Sequence, residues 1–106
     1  LGRGEFRHRL TAPLPQLVLL DLQLPKVDGL DVLRSVRGNA RTCMVPVVVL
    51  TSSNDPRQLA QCYQLGANSC VLRPVRYEEF SEAIQSVARY WLGFNLAPPP
   101  SAQPVA

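Results

Sequence analysis

Three short runs, residues 17–20, 45–50 and 69–72, are rich in apolar and β-branched side chains, and each is cut short by a polar or Pro/Gly break before a helical pattern begins. After the first run, Pro25 and Gly29 break any continued strand, and Leu30, Leu33 and Val36 then recur at helical spacing until Gly38. After the second, the polar stretch 51–54 leads into Asp55 and Pro56, an N-cap and first-turn pair, and Leu59, Cys62, Tyr63 and Leu65 form a stripe that Gly66 stops. After the third, Pro74 forbids further ladder bonding, and Glu78 and Glu79 suit the positive end of a last helix. That helix carries the stripe Phe80, Ile84, Val87 and Trp91 before Gly93. The order is β-α-β-α-β-α. Strands joined by helical crossovers make the fold α/β with a parallel sheet, and the uninterrupted apolar run 17–20 is expected to be buried on both faces.

Parallel strands all end on one edge, which is where open α/β sheets place their ligands. The loops after Leu20, Leu50 and Leu72 therefore bring Asp21, Thr51 and Arg73 together, although they lie far apart in the chain. Taken singly, each has an ordinary explanation: Asp21 caps a turn, Thr51 opens a turn with Ser52 and Ser53, and Arg73 is a solvated surface residue. As a set they suit acceptance of a phosphoryl group on a carboxylate, with Asp21 as nucleophile. Thr51 can donate a hydrogen bond to one phosphoryl oxygen and the Arg73 guanidinium can pair with another. Mg²⁺ belongs to such chemistry because two anions must approach each other; it is normally held by one or two carboxylates plus waters and phosphate oxygens, and this edge offers the single carboxylate of Asp21.

Other chemistries find no support. The 106 residues make one small domain, and the formal net charge of +3 comes from Arg residues scattered along the chain, so no nucleic-acid footprint is present. No apolar run approaches the roughly 20 residues that cross a bilayer, and the start of the chain, with Arg3, Arg7 and Arg9, lacks a signal-peptide core. A cytoplasmic protein without a membrane partner is expected. Cys43, Cys62 and Cys70 show no CxxC or Cys/His spacing, the only His is His8, and reduced, mostly buried thiols follow. Residues 1–16 read as a residual N-terminal segment, 17–94 as the folded part and 95–106 as a Pro-rich tail.

Residues 19–33 (LLDLQLPKVDGLDVL), 47–52 (VVVLTS), the pair Gly66 and Ala67, and the pair Arg73 and Pro74 resemble the receiver domain of two-component response regulators. The resemblance runs from Leu17 to about Leu92, and residues 52–56 with 90–92 resemble small single-domain regulators that partner bacterial phytochrome histidine kinases. It implies a flavodoxin-like sheet, of which the C-terminal β-α-β-α-β-α part is present, and a signalling role without enzymatic turnover. It further implies that Asp21 is the phosphoacceptor, that Asp21 and the backbone carbonyl of Gln23 hold Mg²⁺, and that the Thr51 hydroxyl follows the phosphoryl group on switching. The implied partner is a histidine kinase, of the phytochrome type.

The chain departs from the family pattern in three places. Arg73 stands where the family usually has Lys, which keeps the charge and changes its reach, and Cys70 stands where an aromatic residue is usual. A receiver also opens with a strand ending in an acidic pair that binds Mg²⁺, then a helix and a second strand. Residues 1–16 contain one acid, Glu5, and resemble only the end of the helix before the Asp strand. The chain is therefore read as N-terminally truncated, with an incomplete Mg²⁺ site and with residues 17–20 as an exposed sheet edge. Such an edge predicts self-association, as a homodimer or an edge pairing, through this strand or through the helix over residues 80–91. One rival reading is a phosphorylation-incompetent interaction module. Another is a phosphate-ester hydrolase working through an aspartyl phosphate, which needs a leaving-group acid and a metal cage that the chain does not visibly supply.

Overall fold

The β-branched run at 47–49 forms the middle of a parallel sheet in the computed structural model, which describes residues 15–23 and 25–99 of the chain. The strands are β1 (Val18–Asp21), β2 (Val47–Thr51) and β3 (Ser69–Leu72), in the spatial order β1-β2-β3. They alternate with helices α1 (Gly29–Gly38), α2 (Pro56–Gln64) and α3 (Tyr77–Arg89), and a π-helical turn at Tyr90–Phe94 continues α3. This is the expected β-α-β-α-β-α order, and both strand pairs are parallel. Residues 1–16 as a residual segment fall almost wholly outside the described residues, as does the tail beyond residue 99.

The strand limits shift in an informative way. β2 begins at Val47 and not at residue 45, because Val45 donates its N–H to Thr42 O in a turn (3.0 Å) and Pro46 has no N–H to give. At the other end Asp21 and Thr51 are the last residues of their strands and not the first of their loops, so the ladder itself positions both.

Each helix starts and stops on a local signal. Asp28 caps α1 by accepting the N–H of Leu30 at 3.0 Å, one position ahead of the expected start. A Cβ at Gly29 would meet the tip of the Leu22 side chain, which would have to turn aside. Asp55 caps α2 through the N–H of Arg57, with Pro56 in the first turn as expected. Gly66 takes a φ of +103° and closes α2 in a Schellman motif: its N–H donates to Tyr63 O and that of Ala67 to Cys62 O, both at 3.0 Å. At the end of α3 the chain does not stop before Gly93. The Asn95 N–H reaches back five residues to Tyr90 O at 2.7 Å, which makes the π turn.

Leu20, Leu33, Val47, Val49, Cys62 and Ala67 form the buried cluster, with Val18, Leu30, Val36, Leu65 and Cys70 packed around it. Burial and the neighbouring Cys70 push the Cys62 thiol up to about 11, so it stays a protonated core residue. Alternation sends Val48 and Leu50 to the opposite face, where both are also buried. β1 corrects the expectation of two-sided burial. Leu20 is buried, whereas Leu19, on the same face as Val48, is 40% exposed because β1 is the last strand of the described sheet. The half-buried stripe of Phe80, Ile84, Val87 and Trp91 follows the expected helical period.

Arg37 ties the opposite, N-terminal side of the sheet together. Its guanidinium donates to Gly66 O (2.9 Å), Cys43 O (3.0 Å), Val45 O (2.7 Å) and Asn68 Oδ1 (2.7 Å). Burial pulls its pKa below the usual arginine value, and backbone carbonyls, not a carboxylate, satisfy the charge.

Candidate functional site

Register places the site. Asp21 pairs with Leu50 and Thr51 pairs with Leu72, so the three strands deliver Asp21, Thr51 and Arg73 to one edge, each one position beyond the last. The Arg73 N–H continues the ladder by donating to Thr51 O at 2.7 Å. Its side chain crosses over β2, and its Nη1 donates to Asp21 Oδ2 at 2.5 Å. The guanidinium also lies 4.8 Å from the centroid of the Phe80 ring, a cation–π contact that braces it from α3. The other carboxylate oxygen of Asp21 accepts the N–H of Gln23 at 2.8 Å, closing a turn of Asx type. Both oxygens are thus oriented, one by a fixed cation and one by the backbone, while a fifth of the Asp21 side chain remains open to solvent.

Thr51 is brought to the edge, and its hydroxyl is engaged away from Asp21. It donates to Gln58 Oε1 at 2.9 Å and accepts the N–H of Ser53 at 3.1 Å, and the residue is only 1% exposed. Of the three expected residues, two are in direct contact and the third is adjacent in the sheet, with its proton given to α2.

The hard-oxygen donors that suit Mg²⁺ at this edge are the Asp21 carboxylate and the Gln23 carbonyl. Among the described residues no group of three or more His, Cys, Asp or Glu side chains gathers to hold a metal. Asp28 and Asp55 are committed to helix caps, and Asp31 pairs with Arg34. One carboxylate is enough for one side of a Mg²⁺ site whose remaining ligands are waters and phosphoryl oxygens.

Sequence reasoning missed Gln58 and Phe80. The spacing of Asp55 to Gln58 reads as a capping box, in which Gln58 would reach back to the Asp55 N–H. That N–H is instead taken by Ser53 Oγ at 3.1 Å, which leaves Gln58 for Thr51. Phe80 was legible only as part of an apolar stripe; its service under Arg73 depends on where α3 crosses the edge.

A flavodoxin-like parallel sheet, with an oriented carboxylate, a hydroxyl and a basic side chain at its C-terminal edge, defines a receiver-type α/β domain. Residues 4–85 match the response regulator receiver domain family, and the chain belongs to it. It is 41% identical over 88 residues to the probable methanogenesis regulatory protein FilR2 of Methanothrix harundinacea, covering 83% of this chain and 57% of that protein. The crystal structure of the phosphorylated cyanobacterial phytochrome response regulator RcpA superimposes with a TM-score of 0.77 at 26% identity, covering 91% of this chain and 74% of that one. The Mn²⁺-bound form of response regulator Rcp1 gives 0.73 at 32% identity, covering 84% and 64%. The chain therefore spans less than two thirds of the length of FilR2 and of the Rcp1 structure. No helix among the described residues is long and apolar enough to cross a membrane.

Proposed function

We propose that Asp21 accepts a phosphoryl group from a phosphorylated histidine of a partner kinase, and that the domain passes the signal on through protein contacts. The observation that carries this reading is the contact between Asp21 Oδ2 and Arg73 Nη1 at the C-terminal edge of parallel strands. An ionised carboxylate needs no general base to act as nucleophile, so one carboxylate oxygen forms the O–P bond as the N–P bond to the donor imidazole breaks. The Arg73 guanidinium stays on the acidic group, where it pairs with the acyl phosphate as negative charge accumulates. Phe80 limits how far that guanidinium can drift. Mg²⁺, held by Asp21, the Gln23 carbonyl, waters and phosphoryl oxygens, would lower the repulsion between the two anions. The likeness to RcpA and Rcp1 supports a kinase of the phytochrome type as the donor.

Incubation with acetyl phosphate and Mg²⁺, followed by intact mass measurement, tests the reading. The expected product carries one phosphoryl group that hydroxylamine removes, as an acyl phosphate requires. A mass unchanged under saturating acetyl phosphate overturns it and leaves a binding-only module.

A second reading, self-association, rests on the exposed apolar side chains where α3 ends: Tyr90 at 51%, Leu92 at 54%, Phe94 at 71% and Leu96 at 92% exposure. Light scattering across a concentration series is expected to show a mass rising from monomer toward dimer. A concentration-independent monomer removes this reading.

A further inference from the structure

A buried hydroxyl has one proton to donate, and the nearer of the two acceptors of Thr51 lies on α2, the Ser53 carbonyl oxygen standing farther off at 3.5 Å. The acceptor, Gln58 Oε1, sits 2.9 Å from Thr51 Oγ1 in the first turn of that helix, and the Ser53 N–H holds the same oxygen from the other side at 3.1 Å. Gln58 is free for this because the Asp55 N–H, which a capping-box side chain would take, is bonded to Ser53 Oγ. Thr51 is the last residue of β2, while Asp21 beside it in the sheet has its own two oxygens occupied by Arg73 and the Gln23 N–H.

We propose that Gln58 is a positioning residue that latches the Thr51 hydroxyl to α2, so that the hydroxyl reaches a phosphoryl group on Asp21 only when the first turn of α2 gives up this hydrogen bond. The inference rests on the phosphoacceptor role of Asp21 and specifies how that same site is regulated. The chemistry of the two acceptors sets the direction. Gln58 Oε1 is a neutral acceptor, whereas a phosphoryl oxygen is anionic and makes the stronger, charge-assisted bond. An unphosphorylated site therefore leaves Thr51 on Gln58, and an anion on Asp21 draws it off. The first turn of α2, which begins at Asp55 and Pro56, then loses its only side-chain tie to the strand edge among the described residues. Occupancy of Asp21 is thereby linked to the setting of α2, which is a differential contact of the kind that a two-state switch needs.

The test uses two measurements on the wild type, Gln58→Met, Thr51→Val and the double variant. Three-bond couplings to the Thr51 methyl report its rotamer in the unmodified protein. A single rotamer is expected in the wild type and averaging in Gln58→Met; an unchanged rotamer overturns the latch. Titration with beryllofluoride and Mg²⁺, a phosphoryl mimic, reports the cost of release. Gln58→Met is expected to bind the mimic about fivefold more tightly, the factor that one neutral hydrogen bond is worth. In the Thr51→Val background the same change is expected to have no effect. An equal gain in both backgrounds assigns Gln58 a merely structural role and overturns the proposal. If the wild type binds no mimic at all, the phosphoacceptor reading fails, and the rotamer measurement still decides whether Gln58 holds Thr51.

Discussion

Arg37→Met is expected to lower the unfolding free energy by about 3 kcal/mol, a large part of the roughly 5 to 15 kcal/mol that holds a small domain folded. The reason lies in what the guanidinium connects. It leaves the last turn of α1 and donates to Gly66 O after α2, to Cys43 O and Val45 O ahead of β2, and to Asn68 Oδ1 ahead of β3. Asn68 passes the restraint on, since its Oδ1 also accepts the Val47 N–H at 2.8 Å and its own N–H donates to Val47 O at 2.9 Å. Met replaces the aliphatic stem and none of the donors, so several partly buried acceptors lose their partners at once, each costing about 1 kcal/mol or more. Arg37→Lys is expected to recover less than half, because an ammonium is a single point of donation and cannot span acceptors on different segments. Urea denaturation with an unchanged m-value measures the effect. A shift in Arg37→Met below about 0.5 kcal/mol, the range of ordinary surface changes, counts against this role.

How far the sequence led, and where it stopped, follows from the range of each interaction. The β-α alternation was legible because apolar runs and helical stripes are local patterns, and Asp55 with Pro56 starts α2 and Gly66 ends it through interactions spanning few residues. The convergence of Asp21, Thr51 and Arg73 was legible for a different reason: parallel pairing converts three sequence positions into one edge. Coverage was less legible. Nothing in an apolar run says whether a further layer lies on each face, and Leu19 is half open where two-sided burial was expected. Side-chain aim was not legible at all. Nothing in the sequence singles out Arg37 or Gln58 for the contacts they make, and Phe80 stands there only as one member of an apolar stripe; each acquires its role only when separate elements of the fold meet.

The Asp21–Arg73 pair joins these two levels, because it is both part of the fold and the centre of the proposed phosphoryl-acceptor site. It spans 52 residues of chain and links the two outer strands of the described sheet across β2. Its stabilising value is modest, since the Arg73 side chain is 36% exposed and the Asp21 side chain 20% exposed, and solvent screens such a pair. Its chemical value is larger. The same geometry that contributes little to folding holds a carboxylate oriented beside a cation at the open edge of the sheet.

Asp21→Asn separates those contributions and is expected to abolish phosphoryl uptake while leaving the fold in place. An amide oxygen is not a competent nucleophile at neutral pH, and no acyl phosphate can form on it. The structural duties of Asp21 survive the change in large part. The Asn Oδ1 can still accept the Gln23 N–H that closes the turn, now at 2.8 Å in the native protein. What is lost is the charge-assisted contact to Arg73, whose guanidinium keeps its place over Phe80. For a pair this exposed the expected cost is below about 1 kcal/mol. Intact mass after acetyl phosphate and Mg²⁺, read beside the urea midpoint of the same sample, gives both numbers. Uptake by the variant equal to that of the wild type would place the acceptor elsewhere. Asp28, Asp31 and Asp55 are the other aspartates of the described residues, and each is already held in a helix cap or an ion pair. A collapse of stability alongside lost uptake would instead make Asp21 a structural residue first, and the conservative amide would then have removed the fold together with the chemistry.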